Sequence, residues 1–342
     1  MFKEYFIRLL NSFSDIIPLD SYINLTSQNI ILPSYHTISN KELLHIKHLY
    51  KIKNERQFKN DLEYILKYYK PIEFNELIKV SKNNTRIKEN YFWLSFDDGL
   101  SEIYDVIAPI LKNKGIPFGI FVNSGFIDNK DLFYRFKASL IIEKIKNFSI
   151  SEITKNEIKK LLISEKAFYL SIINSIYSVN YNNKYILDSI AELIEINFKE
   201  YLAENKPYLT TCQINELIKQ GVTIGSHSID HPKYSDINFE EQFRQTNESI
   251  DYIKSNFNIS HKIFAFPFTD YSVKKEFFNK IYGNNILDYS FGSAGLKHEQ
   301  FPEHLQRLSM DVKNIKASKL ISTEYLYYLL KKPIGKNYII RK

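Results

Sequence analysis

YFWLSFDDGLSEIYDVIAPILKNKGIPFGIFV, residues Tyr91 to Val122, decides how the rest of the chain is read. Tyr91–Phe96 is short, aromatic and apolar, which predicts a buried strand. Ser101–Asn113 predicts a helix that stops just before Gly115, and Pro117–Val122 predicts a second strand. Strand, helix and strand in that order are the unit from which parallel sheets are built. The first strand ends in two adjacent carboxylates, Asp97 and Asp98. Neighbouring carboxylates raise each other's pKa and are costly to desolvate unless something positive lies beside them. The stretch therefore implies a positive partner as well as a fold.

The alternation extends in both directions. Asn29–Pro33 predicts a strand that runs into a loop carrying His36, and Glu55–Tyr69 a helix. Residues 131–207 interrupt the pattern: they contain no glycine, no proline before Pro207, and helical spacing throughout. They predict an inserted subdomain of three or four helices. Thr210, with Gln213 three residues on, is a capping box that restarts the alternation. Strands follow at Val222–Gly225, Ile263–Phe266, Tyr289–Phe291 and Arg307–Met310. Helices are expected at Phe239–Asn256, Ser272–Ile281 and Ser318–Lys331. The division expected is an N-terminal helical extension at 1–28, an α/β body at 29–130 and 208–342, and the helical insertion at 131–207.

The chain has 342 residues, 44% apolar and 25% charged, enough for a sizeable core. Tyr and Phe number 25 each, which is high; most of those rings must be core, and sugar-binding clefts also use such flat faces. The net charge of +7 is spread thinly, and no nucleic-acid motif accompanies it. A single cysteine, Cys212, excludes an internal disulfide and a cysteine metal cluster. The first 17 residues have amphipathic helical spacing, interrupted by charge and without a small-residue cleavage site. They read as a docked helix or a homodimer contact, with peripheral contact to a membrane as the alternative. A cytoplasmic location is the expectation, with the inner face of the membrane as an option.

Three predicted strands end in conspicuous polar residues: SFDDG at 95–99, SHSIDH at 226–231 and FPFTD at 266–270. Loops after parallel strands form the active face of such folds, so these three can converge. His227 and His231 can reach one point. Two imidazoles and one carboxylate are a common ligand set for a catalytic zinc with an open position for water. One aspartate would ligate the cation, and the other would stay free to take a proton.

With those motifs in place, the chain resembles the polysaccharide deacetylase family, over roughly residues 29–312 apart from the insertion. SFDDG matches the family's first motif, and IGSHSIDHP holds its second. LPSYHTIS and PIEFNEL add to the likeness. The resemblance implies a distorted (β/α) barrel of about seven parallel strands. It implies a hydrolase that removes N-acetyl groups from sugars of a polysaccharide or lipid-linked glycan. Asp98, His227 and His231 would hold a divalent metal, zinc by this analogy. Asp97 would be the general base, and the N–H of Phe268 would hold the oxyanion. Asp270, Tyr271 and His36 are the remaining candidates for substrate contact, with loop capping (Asp270) and a structural histidine (His36) as the plainer readings. Two departures stand out. The arginine of the third motif is replaced by Ala265, so Arg307 is the candidate to orient the base. The late strand LQRLSMD lacks the usual acid histidine, leaving His298 and His304 as neighbours that could donate a proton. Cleavage of another amide, as in deformylase-like or cyclic-amide relatives, and a non-catalytic glycan-binding module are the alternatives.

Overall fold

A computed structural model describes residues 17–82, 89–312 and 315–342. The expected helix over the first 17 residues lies outside the described residues apart from Ile17. Eight short strands form the central sheet: β1 Pro33–Tyr35, β2 Leu94–Phe96, β3 Phe118–Val122, β4 Thr223–Ser226, β5 Ile263–Ala265, β6 Tyr289–Gly292, β7 His304–Gln306 and β8 Leu308–Ser309. Their order is β7-β6-β5-β4-β3-β2-β1-β8, and every pairing is parallel. Only Arg307 separates β7 from β8, so one stretch of chain borders both ends of the sheet. The Arg307 N–H donates to Gly292 at 3.1 Å, and the Leu308 N–H donates to Leu32 at 2.8 Å. The sheet is thus a distorted (β/α) barrel. Counted as one strand that changes partner at Arg307, the closing segment gives the seven strands expected.

Alternation along the strands sends Trp93, Phe121 and Phe291 into one packed cluster. Trp93 is fully buried, with its ring 5.4 Å from Phe291. Glycine opposite makes room for it: a Cβ at Gly119 would lie 2.4 Å from the indole. The same alternation carries Ser95 and then Asp97 toward the barrel axis. Because the strands are parallel and in register, their C-terminal ends share one rim, where His36, Asp97 and His227 follow β1, β2 and β4.

Two expectations need correction. Ser101–Asn113 is not a plain α-helix: Ile103–Ile107 is a π-turn, followed by an α-helix at Ala108–Asn113. Pro109 has no N–H to donate, and its ring crowds the carbonyl four residues back. The chain adjusts by letting the Ala108 N–H reach Ile103. The stretch at 131–207 holds more than three or four helices. Five α-helices occupy it: Tyr134–Asn147, Glu152–Ser164, Ile172–Ser178, Ile186–Leu193 and Phe198–Asn205. Ser151, Ser171 and Asn197 cap three of them through their side chains. The segment has an apolar cluster of its own, including Ile141, Ile158, Leu162, Ile186 and Ile190. No described helix is long and apolar enough to cross a membrane.

Candidate active site

The two adjacent aspartates have separate partners. Asp97 continues the inward face of β2 and meets Arg307, which comes from the break in the closing strand. The contact is bidentate, 2.7 Å to Oδ1 and 2.8 Å to Oδ2, and both side chains are buried. Arg307 also donates to Ser95 Oγ at 3.0 Å, and its guanidinium lies over the Phe121 ring. Burial pushes the Asp97 carboxyl up, but Arg307 outweighs it and holds the pKa below its ordinary value. Arg307, the candidate to orient Asp97, is thus placed in direct contact with it.

Asp98 turns the other way. Its backbone has φ +70°, a left-handed conformation, and Gly99 follows with φ +64°. A Cβ at Gly99 would lie 2.8 Å from Val122 Cγ1, so the turn requires glycine. The turn presents Asp98 Oδ1 to His227 Nε2 at 3.5 Å and to His231 Nε2 at 3.1 Å. Burial raises the Asp98 pKa, but His231, His36 and His227 outweigh it, so the group stays ionised.

The donor set fits a cation. His227 Nδ1–H donates to the Ala265 carbonyl oxygen at 2.8 Å, so its Nε2 carries a lone pair rather than a proton. Burial keeps this ring neutral, with a pKa lowered to about 4. A lone pair facing a carboxylate oxygen repels it unless positive charge lies between them. Asp98 Oδ1 and both ring nitrogens of His231 are buried without a hydrogen-bond partner among the described residues. The three ligand atoms lie within 4.8 Å of one another. Two imidazoles and a carboxylate, all buried, form a donor set that suits a divalent metal ion.

His36 is placed beside this group on a built-in partner. Its Nδ1–H donates to Asp311 Oδ2 at 2.8 Å, and its backbone N–H donates to the same oxygen at 2.7 Å. The side chain is 33% exposed and the ring packs on Tyr50. Burial lowers the pKa of His36, but the bond to Asp311 and the fields of Asp98 and Asp97 raise it to about 9. Asp311 was not singled out by sequence. The only signal was a carboxylate just past a strand, in LSMD.

Phe268 has φ +57°, and its N–H makes no hydrogen bond among the described residues. Its ring is 41% exposed and packs 4.7 Å from His231. Tyr271 is 78% exposed on the same loop. Asp270 differs from expectation, because its carboxylate is buried and turned away from solvent. Arg341 donates to its carbonyl oxygen at 2.6 Å and to its carboxylate Oδ2, which His304 and Gln306 also bond at 3.1 and 2.8 Å. The Ser293 N–H donates to Oδ1 at 3.3 Å, so both carboxylate oxygens have protein partners. In the grouping of Asp270, Glu299 and His304, the Arg341 guanidinium bonds both carboxylates. His304 is corrected as a proton donor: Ser290 Oγ and Asp270 engage its two nitrogens. His298 is corrected as well, because its Nε2 is held by Tyr328 OH at 2.9 Å beside the strand pair His298–Glu299 and Tyr338–Ile339.

Comparison with known proteins bears on the fold and on part of the chain. Residues 184–284, which include His227 and His231, match the family model for polysaccharide deacetylase. No curated relative matches the chain. Among solved structures, the Streptococcus pyogenes deacetylase PplD in complex with acetate superposes with a TM-score of 0.55 at 16% identity, over 86% of this chain and 97% of that one. IcaB from Ammonifex degensii gives 0.54 at 13% identity, over 87% and 97%. A de-N-acetylase from Aggregatibacter actinomycetemcomitans gives 0.50 at 12% identity, over 84% and 97%. At such identities these structures speak for the fold. The family match covers under a third of the chain and marks residues 184–284 as similar to polysaccharide deacetylases, which are hydrolases of amide bonds.

Proposed function

We propose that this chain is a metal-dependent N-deacetylase of glycan sugars, in which Asp97 is the general base and His36 the general acid. The observation that carries the reading is the separation of the two carboxylates: Asp98 faces two imidazoles while Arg307 holds Asp97 apart. A divalent cation held by Asp98, His227 and His231 would lower the pKa of a water and polarise the amide carbonyl. Asp97, fixed at both oxygens by Arg307, keeps one orientation and accepts a proton from the attacking water. The Phe268 N–H donates to the carbonyl oxygen as it gains negative charge. His36, charged through its bond to Asp311, gives the Nε2 proton to the leaving amine. Water is added across the C–N bond, and acetate and a free amine depart. The exposed rings of Phe268 and Tyr271 offer flat faces to a sugar beside this centre.

The test is acetate release from N-acetylglucosamine oligomers, measured with and without a chelator. Activity should vanish with chelator, return on adding Zn2+, and fall by about 10²–10⁴ in Asp97→Asn. Turnover that survives both treatments would refute the reading.

A further inference from the structure

The two histidines of HSIDH are held by different means. His227 is turned by an outer hydrogen bond to Ala265, as metal-binding imidazoles usually are. His231 has no such bond, since its Nδ1 is buried without a protein partner among the described residues. Its backbone is also strained, with φ +61°, as is that of Ser228 at φ +73°. Something else has to hold this loop in place.

The helical segment between β3 and β4 does so. Tyr181 OH lies 2.9 Å from each carboxylate oxygen of Asp230, the residue before His231. Lys184 Nζ reaches Asp230 Oδ2 at 2.5 Å. Gln245 completes the grip, donating to Asp230 at 2.7 Å and accepting the Ile229 N–H at 3.0 Å. At the start of the same segment, the Phe133 ring lies 4.4 Å from that of His231, tilted by 58°. Polar bonds on one side and an aromatic wall on the other take the place of the absent Nδ1 bond.

We infer that the helical segment positions a metal ligand: Tyr181, Lys184 and Phe133 set the place of His231. This rests on reading Asp98, His227 and His231 as ligands. Lys184 and Asp230 are partly exposed, at 37% and 25%, and such a pair adds little to folding stability. Its loss should therefore show in metal affinity before it shows in stability.

The experiment titrates metal-free wild type and the double variant Tyr181→Phe/Lys184→Met with Zn2+ by calorimetry. Thermal unfolding and the visible spectrum of the Co2+ form are recorded beside it. The double variant should bind Zn2+ about 10-fold more weakly or worse. Its Co2+ bands should shift, and its metal-free melting temperature should match wild type. Lys184→Arg should keep the wild-type affinity. Tyr185→Phe, which loses a bond to Glu165 within the same segment, should also keep it. Wild-type affinity in the double variant would overturn the inference, as would an equal loss in Tyr185→Phe. Should the double variant fold poorly, Tyr181→Phe alone serves, since it keeps the ring. A wild type that binds no Zn2+ would overturn the metal reading itself, and this inference with it.

Discussion

Replacing Arg307 with Met keeps most of the side chain's bulk and leaves Asp97 buried without its cation. Breaking a buried pair in this way costs about 3–5 kcal/mol. Arg307→Met should therefore lower the midpoint of denaturant unfolding as well as activity. An unchanged midpoint would mean that Asp97 finds another partner. His36 yields a pH prediction. Its pKa is raised to about 9, so the proton-donating form is present below that pH and lost above it. Activity should fall as pH rises through about 9, and His36→Gln should show a low rate with that alkaline limb gone. The stability contributed by the His36–Asp311 pair has the same sign. It is complete below about pH 6.5, the ordinary histidine value, and disappears as pH climbs through the raised one. An alkaline limb that persists in His36→Gln would assign the proton to another group.

The strands were read from runs such as FWLSF and FGIFV, because an apolar run bounded by Gly or Pro needs no distant information. Some boundaries needed more. The π-turn at Ile103–Ile107 arises from Pro109, and the helix breaks after 131 arise from Ser and Asn caps; neither changes the apolar spacing. Packing inside the barrel is testable at the same scale. Gly119→Ala drives a methyl into the Trp93 ring and should cost about 1–3 kcal/mol by denaturant unfolding. Gly283→Ala, at the end of the helix Lys275–Gly283, meets nothing within 4 Å and should be neutral or slightly stabilising. Equal costs at the two positions would contradict the barrel packing described.

Across the whole molecule, the site draws on pieces far apart in sequence, which is why only part of it could be read in advance. Asp97, Asp98, His227 and His231 were found because each sits in a local motif after a strand. Arg307 was recognised as a stand-in, although its seat at the seam where the barrel closes was not foreseen. Asp311 pairs with His36 across 275 positions and leaves no local mark. Asp270 looked like a cleft residue because its partner Arg341 lies 71 positions away. The proposed function unites these pieces in a single cation site at the rim of the barrel. Calorimetric titration of the metal-free protein with Zn2+ addresses it most directly. The account predicts one ion bound per chain in wild type and in Asp97→Asn, with binding lost in His227→Ala. Absence of binding in wild type, or binding that survives in His227→Ala, would contradict it.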